Sequence, residues 1–264
     1  MPDFDSPPVI SVNEFSFAIG GKEVLRRVSF CVQRGEYVSL VGPNGAGKTT
    51  LLKCLDRIHR GGSGEMTVCG RPLADYAQRE LARHVSYVPQ PDGRVPPFTV
   101  EQFVLLGRYP YLSPFSVIRR EDRAAVRAAM QQTGTEGFAA RLLQTLSGGE
   151  RQQVYIAAAL AQGAPILLLD EPAAFLDYRH QTEIRRLLRA VNRQQGVTVV
   201  AVTHDVNTAA LDSDRVVALN AGQMVFCGTG AELMRPEVLQ RIYDTSFLLV
   251  PHPETQLPTI VPGT

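Results

Sequence analysis

No stretch of this 264-residue chain approaches the roughly 18 consecutive apolar residues that a membrane-crossing helix needs. No charge excess stands out either. Lys and Arg number 27 against 26 Asp and Glu, a formal net charge of +1. That balance removes the electrostatic case for nucleic acid or an anionic membrane surface as the main partner. Cysteine is sparse: Cys31, Cys54, Cys69 and Cys227 stand alone. Without a C-x-x-C pair there is no zinc or dithiol redox motif, and scattered thiols suit a reducing cytoplasm. The opening residues, Met1 to Pro8, lack the basic start and apolar centre of a signal peptide. No internal repeat is found. The hydrophobic content of 44% with 20% charged residues is that of a soluble globular protein, one large domain or a core with an inserted lobe.

Against these absences stands one run, Gly42-Pro-Asn-Gly-Ala-Gly-Lys-Thr-Thr50. It fits G-x-x-x-x-G-K-[ST] at Gly42, Gly47, Lys48 and Thr49, the phosphate-binding P-loop. The apolar Tyr37–Val41 before it reads as a strand, and Thr50–Leu55 after it has helical spacing. Glycines turn the backbone so that several N–H groups face one set of phosphate oxygens. The helix start and Lys48 add positive charge. The expected ligand is a nucleoside triphosphate.

Residues 9–33 alternate apolar and polar around Gly20-Gly21, a hairpin pattern. Residues 85–88, 166–169, 197–202 and 216–219 are short, nearly continuous apolar runs, the signature of strands buried on both faces of a parallel sheet. Ile184, Leu187, Leu188 and Val191 mark the buried stripe of a helix ending near Gly196, and Arg179, Arg185, Arg186, Arg189 and Arg193 give it a solvated face. Residues 91–146 break the rhythm with prolines and glycines. Helices are expected there at about 99–107 and 120–132, and no strand. The tail after about 228 carries small helices, then Phe247–Val250 and a proline-rich end, too short for a separate regulatory domain.

Asp170 and Glu171 follow an apolar strand, the edge where open α/β sheets bind ligands. Asp170 suits Mg²⁺, with the Thr49 hydroxyl as a second donor. Glu171 suits a base that polarises water. His204, after the strand at 197–202, can hydrogen-bond a γ-phosphate oxygen and the attacking water. The Gln90 amide, after the strand at 85–88, can reach both metal and water. Leu146-Ser-Gly-Gly-Glu150 is a second anion-binding helix start, with Ser147 as N-cap. It serves either a second site in this chain or the site of a neighbouring copy.

These residues together resemble the ATPase subunit of ATP-binding cassette (ABC) transporters, over about residues 9–235. The P-loop, Gln90, LSGGE at 146–150, LLLDE at 167–171, Leu176-Asp177 and His204 occur in that family's order. The resemblance implies an α/β fold: a P-loop NTPase core with a mostly parallel sheet, an N-terminal antiparallel β subdomain and an inserted helical subdomain. Residues 1–90 and 147–235 would form the core, 91–146 the insertion and 236–264 a short extension. ATP would sit on Gly42, Pro43, Asn44, Gly45, Ala46, Gly47, Lys48, Thr49 and Thr50. Mg²⁺ would take Thr49, Gln90 and Asp170, and Glu171, His204 and Gln90 would act in hydrolysis.

Ser147, Gly148, Gly149 and Glu150 would complete the site of a second copy in a head-to-tail ATP-sandwich dimer, with Asp177 in the loop crossing that interface. Two positions depart from the family pattern. Ile19 stands where an aromatic ring usually stacks on adenine, with Phe17 nearby as a substitute. Ala173-Ala174-Phe175 replaces small hydroxyl residues.

Gly107–Pro114 and Val250-Pro-His-Pro253 are similar to segments of importers for iron–siderophore complexes, haem and cobalamin. The implied partners are a membrane permease dimer and, indirectly, an extracytoplasmic binding protein. The subunit would sit on the cytoplasmic side of a prokaryotic plasma membrane, with Tyr109, Tyr111 and Phe115 as exposed anchors for the permease. The competing expectation is a soluble ABC ATPase of cofactor or iron–sulfur cluster assembly. A DNA-repair ATPase would need a long coiled-coil insertion, which the chain lacks.

Overall fold

The computed structural model describes residues 7–91, 93–113 and 117–261. It divides into two compact units, Met1–Asp75 with Thr198–Thr264, and Tyr76–Val197. Elements are numbered in chain order.

In the first unit, β1 (Ile10–Ile19) and β2 (Lys22–Val32) pair antiparallel around the expected glycine turn. Gly20 and Gly21 both have positive φ, which a tight hairpin of this hand requires. The central strand, β3 (Tyr37–Val41), is buried throughout. It lies between two parallel neighbours, β8 (Thr198–Val202) and β9 (Arg215–Asn220), and the antiparallel β10 (Gln223–Gly228) pairs with β9. Helix α1 (Lys48–Leu55) leaves the end of β3, and α7 (Val206–Asp212) leaves the end of β8. The apolar runs are thus read correctly, with ends shifted by a residue.

An ion pair between the half-buried Arg215 and the buried Glu36 fixes the start of β9. The Arg215 guanidinium donates from Nε and Nη2 to the two Glu36 oxygens, each at 2.8 Å, and from Nη2 to the Cys31 carbonyl at 2.6 Å. Two further strands, β4 (Ser63–Val68) and β5 (Arg71–Pro72), extend the β1–β2 sheet beyond β1. Past β10 come the small helices α8 (Gly230–Leu233) and α9 (Pro236–Tyr243), as expected. The run at Phe247–Val250 then opens a hairpin, β11 (Leu248–Pro251) with β12 (Pro258–Val261).

In the second unit, β6 (Val85–Val88) and β7 (Ile166–Asp170) pair parallel, with the short α2 (Gln78–Leu81) before β6. The inserted region contains α3 (Val100–Leu106), held by a capping box on Thr99 and Gln102, and α4 (Arg120–Gln132). Among its described residues the only β pairing is an isolated bridge from Thr99 to Leu142. Its core is not self-contained at residue 146. Val100, Val104, Val126, Met130 and Leu143 pack with Val154, Ala157 and Ala161 of α5 (Gly148–Gln162). Two short helices have too little apolar surface to bury alone, so the lobe takes a face of α5 as its floor. Helix α6 (Tyr178–Gln195) buries Ile184, Leu188 and Val191, with Leu187 half-buried, and ends at Gly196 in the left-handed region. Pro114 and Phe115 lie outside the described residues.

Candidate nucleotide site

The P-loop follows directly from β3. Gly42 has φ +135, and a Cβ there would fall 1.9 Å from the Leu219 carbonyl oxygen, so only glycine fits. Asn44 and Gly45 form the exposed tip, while Ala46 and Gly47 are buried under it. No side chain caps α1, whose N-cap is Gly47. The first-turn N–H groups therefore stay oriented for an anion. Lys48 opens the helix almost buried, its Nζ donating to the carbonyls of Gly42 at 2.7 Å and Pro43 at 2.9 Å. Thr49 and Thr50 complete the first turn, half-buried.

His204 is exposed on the short link between β8 and α7. Ahead of it, the Thr203 N–H donates to the Leu40 carbonyl at 3.1 Å. After it, Asp205 caps α7 by accepting the Thr208 N–H at 3.0 Å. Ile19 ends β1 with 47% of its surface exposed. Phe17 is buried, stacked on Phe15 and on His59 with centroids 6.4 and 5.5 Å apart. It is therefore not available as a substitute for the missing aromatic platform, while Ile19 is an exposed apolar side chain at the end of β1.

The second unit carries the carboxylates. Asp170, 1% exposed, is the last residue of β7, and the Tyr87 hydroxyl donates to its Oδ2 at 3.2 Å. Glu171 takes φ +53, which ends the strand and turns the side chain off the sheet's alternation. Gln90 Nε2 donates to Glu171 Oε2 at 3.0 Å. Gln90 and Glu171 are thus brought together across 81 residues of sequence. Tyr87 was not foreseen. Its signal was a tyrosine inside a two-face-buried strand, where the hydroxyl needs a partner.

The LSGGE element begins α5 with Ser147 as N-cap. The Glu150 N–H donates to Ser147 Oγ at 3.3 Å, and the Ser147 N–H donates to Glu150 Oε2 at 2.8 Å, closing a capping box. That Ser147 N–H leads the causes holding the Glu150 carboxyl below its ordinary range. Asp177 caps α6, accepting the His180 N–H at 2.9 Å on Oδ1, and its Oδ2 lies 2.8 Å from His180 Nδ1. The His180 backbone N–H is the main cause of the lowered Asp177 pKa. The His180 ring in turn lies against Gly149, so His180 joins the loop of Asp177 to the start of α5. Phe175 and Tyr178, on either side of Asp177, are 89% and 84% exposed.

A third set of residues shapes the lobe's surface. The Pro110 carbonyl accepts from Arg79 Nε at 3.2 Å and from Arg83 Nε and Nη2 at 3.2 and 3.1 Å. Arg108 pairs with the buried Asp122 at 3.0 Å and donates to the Ala161 carbonyl at 2.8 Å. The Tyr111 ring faces Arg108 at 4.1 Å and Arg83 at 5.5 Å, which makes it a structural clamp although part of it is exposed. Tyr109 is 71% exposed. Beside this segment a groove of about 390 Å³ is lined by Gln90, Arg94, Phe103, Leu106 and Tyr155.

Residues 25–174 match the protein family described as ABC transporter. The hemin import ATP-binding protein HmuV of Streptomyces coelicolor is 43% identical over 244 residues, covering 92% of this chain and 86% of that protein. The iron(3+)-hydroxamate import ATP-binding protein FhuC of Bacillus subtilis is 36% identical over 249 residues, covering 94% and 93%. Among solved structures, a chain of a metal-chelate type ABC transporter in an inward-facing conformation matches with a TM-score of 0.84 at 26% identity, covering 98% of both chains. With a family match across more than half its length and such relatives along nearly all of it, the chain belongs to the ATP-binding proteins of the ABC transporter family.

Proposed function

We propose that this protein is the ATP-hydrolysing subunit that drives import of an iron chelate, a ferric siderophore or haem, through a membrane permease. The observation that carries the proposal is the position of Gln90. Its amide hydrogen-bonds Glu171 beside the buried Asp170, and the same residue lines the groove on the lobe's side. A helix of a permease seated in that groove would press on the residue that holds the catalytic carboxylate.

In this proposal the loop Gly42–Thr50 binds the triphosphate through its N–H groups and Lys48. Thr49, Gln90 and Asp170 are hard oxygen donors of the kind Mg²⁺ takes, and the ion when bound neutralises charge on the β- and γ-phosphates. Glu171 orients the attacking water and accepts its proton as the oxygen bonds to the γ-phosphorus and the bond to the ADP oxygen breaks. His204 hydrogen-bonds the γ-phosphate. Ile19 offers the base an apolar contact without a ring.

The second copy supplies Ser147, Gly148, Gly149 and Glu150 in trans. The exposed Phe175 and Tyr178 around Asp177 support this arrangement, because large exposed side chains of that kind are typical of an interface. Among the described residues no helix is long and apolar enough to cross a membrane, which suits a subunit attached through the permease on its cytoplasmic side. The exposed Tyr109 and Leu106 are the side chains offered to that partner. The cargo assignment is supported by the relatives named above.

The test is reconstitution in liposomes with an iron-chelate permease and its extracytoplasmic binding protein from the same organism. ATPase activity should rise when the binding protein carries a ferric hydroxamate or haem. Stimulation by cobalamin alone would overturn the cargo. Co-purification with soluble scaffold proteins and no permease would overturn transport itself.

A further inference from the structure

The C-terminal hairpin makes a contact that the nucleotide site does not explain. Asn207, three residues beyond His204, grips one residue of β12 at two points. Its Nδ2 donates to the Ile260 carbonyl at 3.0 Å, and its Oδ1 accepts the Ile260 N–H at 2.8 Å. A side-chain amide bonded to both groups of one residue fixes position and orientation together, as a ladder pair does in a sheet.

His204 sits where this matters. The link carrying it is tied at one end by the Thr203–Leu40 hydrogen bond and at the other by Asp205, the N-cap of α7. The backbone that carries the imidazole is therefore set at one end by β3 and at the other by α7. Helix α7 has 7 residues, too short to hold a position by its own hydrogen bonds. Val206, Ala209 and Ala210 bury one face in the core. Small, smooth side chains resist removal from a core better than they resist rotation or sliding, and the Asn207 clamp blocks both.

The hairpin is built to serve as the fixed side of that clamp. Leu249 and Ile260 are paired in register and pack on the same core as α7. A two-stranded hairpin is marginal alone, so this packing makes it persist. Its turn is closed by His252, whose Nδ1 accepts the N–H groups of Glu254 and Thr255 at 3.2 and 3.3 Å. The His252 N–H donates to the Leu257 carbonyl at 2.8 Å. The Val-Pro-His-Pro run of the sequence is thus a turn lock.

We propose that the hairpin 248–261 is a positioning element for hydrolysis, with Asn207 the positioning residue through which it orients His204. This rests on the role given to His204 above. The experiment uses full-length Asn207→Ala, Asn207→Asp and His204→Ala chains and the double variant Asn207→Ala/His204→Ala. Asn207→Ala should lower kcat by about tenfold to a hundredfold, the cost of a misplacement near 1 Å, with ATP affinity within about twofold. Its Tm should fall by less than about 5 °C, as for loss of one or two hydrogen bonds in a chain of this size. Asn207→Asp keeps the acceptor and loses the donor, and should fall between. On the His204→Ala background, Asn207→Ala should cost nothing further.

Imidazole NMR, with His204 assigned by its loss in His204→Ala, separates the two ideas. If the His204 resonances move in Asn207→Ala and kcat falls, the clamp acts as proposed. Unmoved resonances with full kcat in Asn207→Ala overturn the clamp, as does an additive loss in the double variant. Full kcat in His204→Ala overturns the catalytic reading of that residue, and with it any role of the hairpin in hydrolysis, even where the resonances move.

Discussion

Gly149→Ala probes the join between the start of α5 and the loop of Asp177. A Cβ at Gly149 would lie 2.2 Å from His180 Cδ2 and 2.3 Å from Cγ, far inside the roughly 3.5–4.0 Å of a comfortable carbon contact. The ring must swing away, and doing so breaks its 2.8 Å contact with Asp177. Crowding of this kind costs about 1–3 kcal/mol. Alanine in place of glycine within a helix returns up to about 1 kcal/mol. The net effect is a loss of roughly 0–3 kcal/mol. His180→Ala removes the obstacle, so in that background Gly149→Ala should become stabilising by up to about 1 kcal/mol. Urea titration of the parent, both single variants and the double variant should give a coupling of about 1–3 kcal/mol, with m unchanged across the set. Effects equal in the two backgrounds to within about 0.5 kcal/mol would refute the contact.

Glu171→Gln should leave fluorescent-ATP binding intact and slow hydrolysis by at least about a hundredfold, and near-normal turnover would remove Glu171 as the base. Ser147→Arg and Lys48→Ala chains, each nearly inactive alone, should recover activity when mixed, because one mixed dimer pairs an intact P-loop with an intact LSGGE element. Mixed dimers that form without ATPase activity would end the trans assignment. Burial lifts the Asp56 carboxyl from near 4 to about 7. Between those values the folded chain holds a proton that the unfolded chain has released, so this group's stabilising contribution is full below pH 4 and is lost as pH rises to 7. Asp56→Asn should therefore gain on the parent in Tm from pH 4 to pH 7 and level off above it, and a gap independent of pH would contradict this.

Local chemistry was legible in the sequence, and long-range chemistry was not. Ser147 and Gly42 declared their roles through neighbours within a few residues, because caps and phosphate loops are closed by adjacent backbone. The buried strands declared theirs by unbroken apolar runs. The strands β4, β10 and β12 were missed because they are edge or half-exposed strands without that signature. Tyr87 meets Asp170 across 83 residues, and Asn207 meets Ile260 across 53, spacings that no local pattern encodes. Tyr111 does more than its segment announced: the aromatic expected as an exposed anchor keeps 40% of its surface exposed, and two guanidinium groups also face its ring. Tyr109, 71% exposed, has the Arg79 guanidinium 6.0 Å from its ring.

One helix takes part in two of these surfaces. With 15 residues, α5 is about 22 Å long. Its first turn holds Ser147 through Glu150, and near its last turn the Ala161 carbonyl is bonded to Arg108, next to Tyr109. A hydrogen-bonded helix is stiff along its axis, so a push on the Arg108 segment arrives at the LSGGE turn as a displacement of the whole rod. In the proposed assembly, seating of the permease at one end and seating of a phosphate at the other would thereby become a single mechanical event. A break introduced midway, as Ala157→Pro would do, should leave each end able to bind while neither senses the other.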